Sequence, residues 1–245
     1  MEKKIAIISD IHGNYSALQA VCKEIDQDTT IEQIYCLGDL IGIGYETNKV
    51  LDLLLSRSDI SFVMGNHDEA IVDILSGREP YSRKRERDHH EWIAAHIDQS
   101  FLSFLSELPV TLSAECNGKR LDFVHYHLDE EGNFLPVDYD PTVEKLDFLY
   151  RDSAADIICF GHHHVIHHFK TKKRLYLNPG SLGCFHKPLA SYAILIIGDH
   201  GEINVTFKEV PYDNKEFLLG YSKLNVPGSD YILKVFHGNQ PLHYQ

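Results

Sequence analysis

The sequence predicts an α/β fold, a mainly parallel β-sheet with crossover helices, accompanied by a second sheet. Three observations carry that prediction. The first third of the chain alternates short β-type runs with helical runs, the rhythm of βαβ units. Each of its strand candidates ends in a polar turn containing glycine. With 43% hydrophobic and 24% charged residues over 245 positions, the chain is long and apolar enough to bury a sizeable core.

The elements follow in order. Residues 4–9, apolar from Ile5 to Ile8, read as the first strand and residues 15–25 as the first helix. The pairs 33–37 with 47–55 and 60–64 with 69–75 repeat the pattern. Between strand and helix lie Asp10-Ile11-His12-Gly13-Asn14, Gly38-Asp39 and Gly65-Asn66-His67-Asp68. In open α/β sheets ligands bind outside the carboxyl ends of the strands, where these turns fall. From 78 to 108 the pattern is helical, one or two helices opening with Arg83, Lys84, Arg85 and Arg87 and closing at Pro109. Strands are expected at 121–124, 156–160, 175–177, 192–197 and 203–210, enough for the second sheet. Residues 212–245 read as a short helical tail broken at Pro227-Gly228, with no chemistry assigned to it. Without a repeat or a low-complexity linker, the simplest organisation is one domain over 1–245, its core at about 4–210 and its tail at 211–245.

Composition excludes several classes. The 23 basic against 36 acidic residues leave a net charge of −13, the wrong sign for a general nucleic-acid binder. No apolar run approaches the roughly 20 residues that span a bilayer, and the first run is too short for a secretory signal, so the N-terminus is expected to be retained. The five cysteines show no C-x-x-C spacing, which suggests neither a disulfide framework nor a thiolate zinc site and fits a reducing cytoplasm. Cys36 and Cys159 stand in apolar runs as small core residues.

The chemistry concentrates at the strand ends. Asp10 and His12, Asp39, Asn66 and His67, His125, and His162 and His164 are all metal-ligand or acid–base types. In an extended segment residues i and i+2 share a side, so Asp10 with His12 and His162 with His164 could each grip one centre, leaving His163 to point away. Carboxylate, imidazole and amide oxygen without thiolate suit Mn, Fe or Zn. So many donors exceed one ion's needs, and a central carboxylate, Asp39, could bridge two ions about 3.5–4 Å apart, the arrangement used in phosphoryl hydrolysis.

The blocks Asp10-Ile11-His12, Gly38-Asp39, Gly65-Asn66-His67-Asp68, His125 and Gly161-His162-His163-His164, in that order and each after an apolar run, resemble the signature of the calcineurin-like metallophosphoesterases. The resemblance covers about residues 4–210. Asn178-Pro179-Gly180-Ser181 is similar to a segment of the small bacterial and archaeal phosphodiesterase branch. It implies a four-layer αββα sandwich with a dinuclear site holding Mn or Fe, with Zn or Ni as alternatives. Carried over by position, it gives Asp10, His12 and His164 to the first metal, Asp39 to the bridge, and Asn66, His125 and His162 to the second. It implies attack by a metal-bridging hydroxide on a phosphodiester or nucleotide polyphosphate. His67 would be free of metal and protonate the leaving group, as an imidazole titrating near neutrality can.

This chain departs from the pattern in places. Tyr126 and His127 follow His125 where Gly and Ser or Thr are usual, so either His125 or His127 could be the ligand; with His125 ligating, His127 would face substrate. His163 replaces a common Thr and reads as a solvated or loop-bonding imidazole. Cys184-Phe185-His186-Lys187 stands where an Arg often follows Gly183, removing a guanidinium fork for phosphate. The expected substrate contacts are therefore Asn14, His127, Arg83, Arg85, His186 and Lys187, with a solvated helix face as the alternative for the basic cluster. Asp68 would orient His67 or cap the next helix from the surface.

Three rival readings find less support in the residues. Gly42-Ile43-Gly44 resembles part of a dinucleotide-binding turn, but position 47 is Thr and Asp39 would repel a pyrophosphate. His90-Glu91 resembles the start of a zinc-protease motif, but position 94 is Ala. A non-catalytic metal-binding scaffold of the same fold would be expected to have lost ligands, and none is missing. No Arg follows Gly38-Asp39, which favours a phosphodiesterase or polyphosphate hydrolase over a phosphomonoesterase or serine/threonine protein phosphatase. The expected partner is a small phosphate ester or nucleotide, with no membrane; the sequence leaves oligomeric state open.

Overall fold

The computed structural model describes residues 1–240. Residues 241–245, which include His243 and the end of the expected tail, lie outside the described residues. Three parallel strands open the chain: β1 (Lys3–Ile8), β2 (Ile31–Cys36) and β3 (Ile60–Phe62). They are separated by helices α1 (Tyr15–Ile25) and α2 (Thr47–Leu55). After β3 come α3 (Asn66–Leu75), α4 (Lys84–His96), a 3-10 turn at Gln99–Phe101 and α5 (Leu102–Ser106). The second sheet is built from β4 (Thr111–Cys116), β5 (Lys119–Val124), β6 (Ile157–Phe160), β7 (Ile166–Lys170) and β8 (Leu175–Pro179), with α6 (Val143–Leu149) crossing from β5 to β6. The chain then returns to the first sheet through β9 (Leu189–Ile197) and β10 (Ile203–Pro211), and α7 (Lys215–Lys223) and α8 (Ser229–Val235) follow.

Strand order is β10-β9-β1-β2-β3 in one sheet and β4-β5-β6-β8-β7 in the other, so both are mixed. Period-2 alternation explains why the sheets stack. In β1, Ile5 and Ile7 enter the layer between the sheets, where they meet Leu121 and Phe123 of β5 and Ile157 and Cys159 of β6. Ala6 and Ile8 face the other way, into the helix layer formed with Leu18, Val21 and Ile25 of α1 and Val50, Leu51 and Leu54 of α2. Likewise Ile158 and Phe160 of β6 turn outward to Leu146 of α6 and Tyr176 of β8. The result is the four-layer αββα sandwich implied by the sequence. Cys36 and Cys159 are buried core residues, as expected.

Two strands and a helix escaped the sequence reading. β4 alternates exposed and half-buried residues as an edge strand and has little apolar weight. β7 carries His167 and His168 in place of aliphatics, and α6 is only seven residues long. The tail is helical with a break at Pro227-Gly228, as expected, and Gly228 adopts φ 74 there. Among the described residues no helix is long and apolar enough to cross a membrane.

Candidate metal centre and its cavities

Every site turn follows a strand at its carboxyl end: Asp10 after β1, Asp39 after β2, Asn66 after β3, His125 after β5, and His162 with His164 after β6. The turns are not extended. Asp10, His12, Asp39, His162 and His164 have φ of 53°, 49°, 53°, 68° and 58°, a left-handed backbone that side-chain-bearing residues rarely adopt. The i, i+2 expectation therefore fails for the second pair: His162 and His164 join different clusters.

In the first cluster His12 Nε2 lies 2.8 Å from His164 Nε2, and Asp10 Oδ1 lies 3.7 Å and 3.3 Å from them. In the second, Asn66 Oδ1 lies 2.9 Å from His125 Nε2 and 2.8 Å from His162 Nδ1. Asp39 Oδ2 stands between, 3.7 Å from His12 Nε2 and 3.3 Å from His125 Nε2. Neighbouring donors on an ion at about 2.1 Å sit ~3 Å apart when the angle between them is near 90°, so these spacings suit shared cations. Asp10 Oδ1 and His12 Nδ1 are buried with no hydrogen-bond partner, and an orphaned carboxylate oxygen aimed at two imidazole nitrogens fits a metal ligand.

Outer contacts set the orientation and tautomer of these groups. His125 Nδ1–H donates to the Leu37 carbonyl at 2.7 Å, which turns the Nε2 lone pair into the cluster. His162 Nε2–H donates to the Leu135 carbonyl at 3.0 Å, leaving Nδ1 to face Asn66. Asp10 Oδ2 accepts from Ser9 Oγ and from the His162 amide, and Asp39 Oδ1 from the His67 amide at 2.9 Å. Burial opposes a charged His125, but the Asp39 carboxylate outweighs it and lifts the pKa to about 9. That is the response of a site whose carboxylates call for positive charge.

Glycine permits the close approach of the turns. A Cβ on Gly38, at φ 90, would lie 2.7 Å from the Gly65 nitrogen and 3.0 Å from His125 Nδ1. Asp68 caps the start of α3 as expected, accepting from the Gly65 amide, but from the interior and not the surface: it is fully buried and also accepts from the amides of Leu40 and Ile41, which ties the Asp39 turn to α3. Burial and the nearby Asp39 charge push its pKa up to about 7.

His67 sits beside both clusters, within a group with His12 and Asp39 whose donor atoms lie within 4.8 Å of one another. Its Nδ1 meets His90 Nε2 at 2.7 Å, a contact the sequence did not signal, and Glu86 is close to both rings. Burial pushes the His67 pKa below its ordinary value, against the pull of the Asp39 carboxylate. His163 points away as expected but is not solvated; it is buried against Tyr126, Phe160 and His167. Cys184, which in the sequence marks only the absence of an arginine, brings its sulfur into a 4.8 Å group with nitrogens of His12 and His164.

Two cavities flank the clusters. One, of about 590 Å³, reaches from His67 between the first turn of α4 and α8, and includes Arg83, Lys84, Arg85, Tyr231 and Phe236. The other, of about 600 Å³, opens from Asn66 and His162 and includes Arg83 with Glu69, Asp73, Glu79 and Glu131. Arg83 and Arg85 thus reach the site's surroundings, whereas four expected substrate contacts do not. Asn14 is buried as the cap of α1, accepting from the Ala17 amide and donating to the Gly183 carbonyl and Tyr212 Oη. His127 packs edge-on against Tyr150, and of the pair it is His125 that enters the cluster. His186 Nε2 bonds the Val235 carbonyl at the end of α8, and Lys187 lines neither cavity. Arg87 also turns away, paired with Glu79 and Glu91. The tail contributes a cavity wall through α8, which the sequence left without a role.

A family model described as calcineurin-like phosphoesterase superfamily domain matches residues 3–200. An uncharacterized protein of Methanocaldococcus jannaschii is 31% identical over 237 residues, covering 88% of this chain and 90% of that protein. A symmetrical bis(5'-nucleosyl)-tetraphosphatase of Cellvibrio japonicus is 38% identical over only 71 residues, 29% of this chain and 26% of that enzyme. Among solved structures, a metallophosphoesterase from Sphaerobacter thermophilus superposes with a TM-score of 0.73 at 22% identity, covering 96% of this chain and 100% of that one.

Proposed function

The chain belongs to the calcineurin-like phosphoesterase superfamily, and from that premise we propose that it hydrolyses a phosphodiester or nucleotide polyphosphate at a dinuclear metal site. The observation that carries this reading is the convergence of seven donor residues into two clusters sharing Asp39, with a buried Asp10 oxygen left without any other partner. Asp10, His12 and His164 would hold one ion, Asn66, His125 and His162 the other, and Asp39 both. Mn or Fe suits this oxygen and imidazole set, with Zn or Ni as alternatives. Such a pair supplies an activated water and neutralises charge gathering on the phosphoryl oxygens.

The remaining work falls to the chain. His67 has Nδ1 against His90 Nε2 and offers Nε2 to the leaving oxygen. An adjacent phosphoryl anion favours the protonated imidazole, the form that can donate to the leaving oxygen. The short similarity to tetraphosphatases supports a nucleotide substrate. A scaffold role fits less well, because a non-catalytic descendant has no need to keep these groups in a left-handed backbone. The free cysteines suit a reducing cytoplasm, and the acidic surface argues against general nucleic-acid binding. The core shared by the two sheets supports a single domain.

The test is turnover of bis(4-nitrophenyl) phosphate by purified protein loaded with Mn, then stripped with chelator and reloaded. Loss and recovery of hydrolysis is expected. Turnover indifferent to chelation, or none with any of the four metals, would refute the reading.

A further inference from the structure

We propose that the cavity between α4 and α8 is a nucleotide subsite that receives the leaving group, so that the substrate is an ester or anhydride whose departing half is a nucleoside phosphate. The inference rests on the phosphoesterase reading for the scissile bond and on independent features of the cavity for its occupant.

The first feature is position. His67, the group placed to protonate the leaving oxygen, lines this cavity, and Phe236 in its wall packs 5.8 Å from the His164 ring. Hydrolysis breaks the bond from phosphorus to the leaving oxygen; water adds its oxygen to phosphorus, and a proton passes to the leaving oxygen. The departing half therefore begins at His67 and extends into the space beyond it.

The second is charge. Arg83, Lys84 and Arg85 line the cavity, and none pairs with a carboxylate among the described residues. They form the start of α4, where Arg83 occupies the cap position without a side-chain cap, leaving first-turn amides for an anion. The adjoining cavity, which shares Arg83, Glu86 and His90 with this one, adds Glu69, Asp73, Glu79 and Glu131, so the arm bearing further phosphates belongs on the α4–α8 side. Glu86 and Asp88 also line the basic cavity and would repel a bare anion, but they can accept hydrogen bonds from sugar hydroxyls or a base amino group.

The third is an unmet polar group. His89 is buried at 4% exposure and lines the cavity, yet neither ring nitrogen makes a hydrogen bond beyond a weak polar contact with the Pro227 backbone. A buried imidazole with a nitrogen left unmatched has a hydrogen bond to offer a polar ligand. Around it Tyr231, Ile232 and Phe236 offer an apolar wall, and the Arg85 guanidinium lies 5.7 Å over the Tyr231 ring, an arrangement that can accept a flat base. Phosphate grips, a stacking surface and an imidazole nitrogen left unmatched in about 590 Å³ describe a nucleotide better than a simple phosphate or an alkyl group.

The test is calorimetric titration of the Mn-loaded protein with ADP, pyrophosphate and adenosine, comparing wild type with Tyr231→Ala and with a triple variant in which Arg83, Lys84 and Arg85 become Gln. ADP should bind wild type, weaken at least tenfold in the triple variant and severalfold in Tyr231→Ala, while pyrophosphate responds to the triple variant alone. Arg85→Lys, which keeps the charge and loses the fork, should fall between. A wild type that cleaves bis(4-nitrophenyl) phosphate but binds no ADP, or binds it equally in every variant, overturns the subsite. If the wild type cleaves no ester but binds ADP with this pattern, the subsite stands and the phosphoesterase reading falls.

Discussion

A Cβ on Gly65 would fall on the backbone nitrogen and carboxylate of Asp39, although Gly65 itself, at φ −102, has a backbone open to any residue. Gly65→Ala therefore acts by sterics alone. It should shift Asp39 and weaken metal retention at least tenfold, with a stability loss of about 1–3 kcal/mol from overpacking; metal analysis beside thermal unfolding checks both. His67 offers a second test at this scale. His67→Ala should keep its metals and slow esters with poor leaving groups by about 10²–10⁴, while nitrophenyl esters, whose leaving group needs no proton, slow far less. Equal slowing of both, or loss of metal, would contradict the assignment. At this scale the donor types were legible, because Asp, Asn and His beside glycine at strand ends are visible in a string of letters. Their partition was not legible from residue spacing, which pairs His162 with His164, and came only from the family resemblance. It depends on a left-handed backbone at His162 and His164, which sends neighbouring residues to different clusters. The His67–His90 contact was equally hidden, since it joins α3 to α4 across the fold.

The βαβ elements were legible because strands buried on both faces announce themselves as apolar runs: β1 and β6 match their expected positions within a residue or two. β4 and β7 were not, being edge strands whose exposed residues leave half the signal. The role of α8 lay beyond local sequence, for its value is its place against α4. The tail also brings in His237, buried against Tyr221 and Phe217, where burial lowers its pKa to about 3. The unfolded chain protonates this histidine near 6.5 while the fold keeps it neutral, so unfolding takes up a proton between those values. Stability should therefore hold above pH 6.5 and fall as pH drops toward 3, with this residue giving a slope of up to about 1.4 kcal/mol per pH unit. Denaturant melts of wild type and His237→Gln between pH 7.5 and 5 should show a shallower acid limb in the variant. Parallel limbs would mean that the histidine is already charged in the native protein.

For the molecule as a whole, charge and metal pull in the same direction. A net charge of −13 repels polyanions in general, while on the proposed reading two bound cations and a local basic cavity would admit one small anionic substrate. Because the metals bind the folded chain, each should stabilise it by about 2.7 kcal/mol at a hundredfold excess over its Kd, so chelation should lower Tm and Mn restore it. The four-layer architecture was the most legible feature at this scale through its family resemblance, and the flanking cavities the least, since their walls come from α3, α4, α8 and the loop after β5. The account turns on Asp39 joining two metal sites into one centre. The direct measurement is metal stoichiometry of chelator-stripped protein titrated with Mn, for wild type and Asp39→Asn, with ester hydrolysis followed in the same samples. Two ions per chain with activity for wild type, and no more than one ion with activity lost for Asp39→Asn, is the predicted result; two ions retained with full turnover in the variant would contradict it.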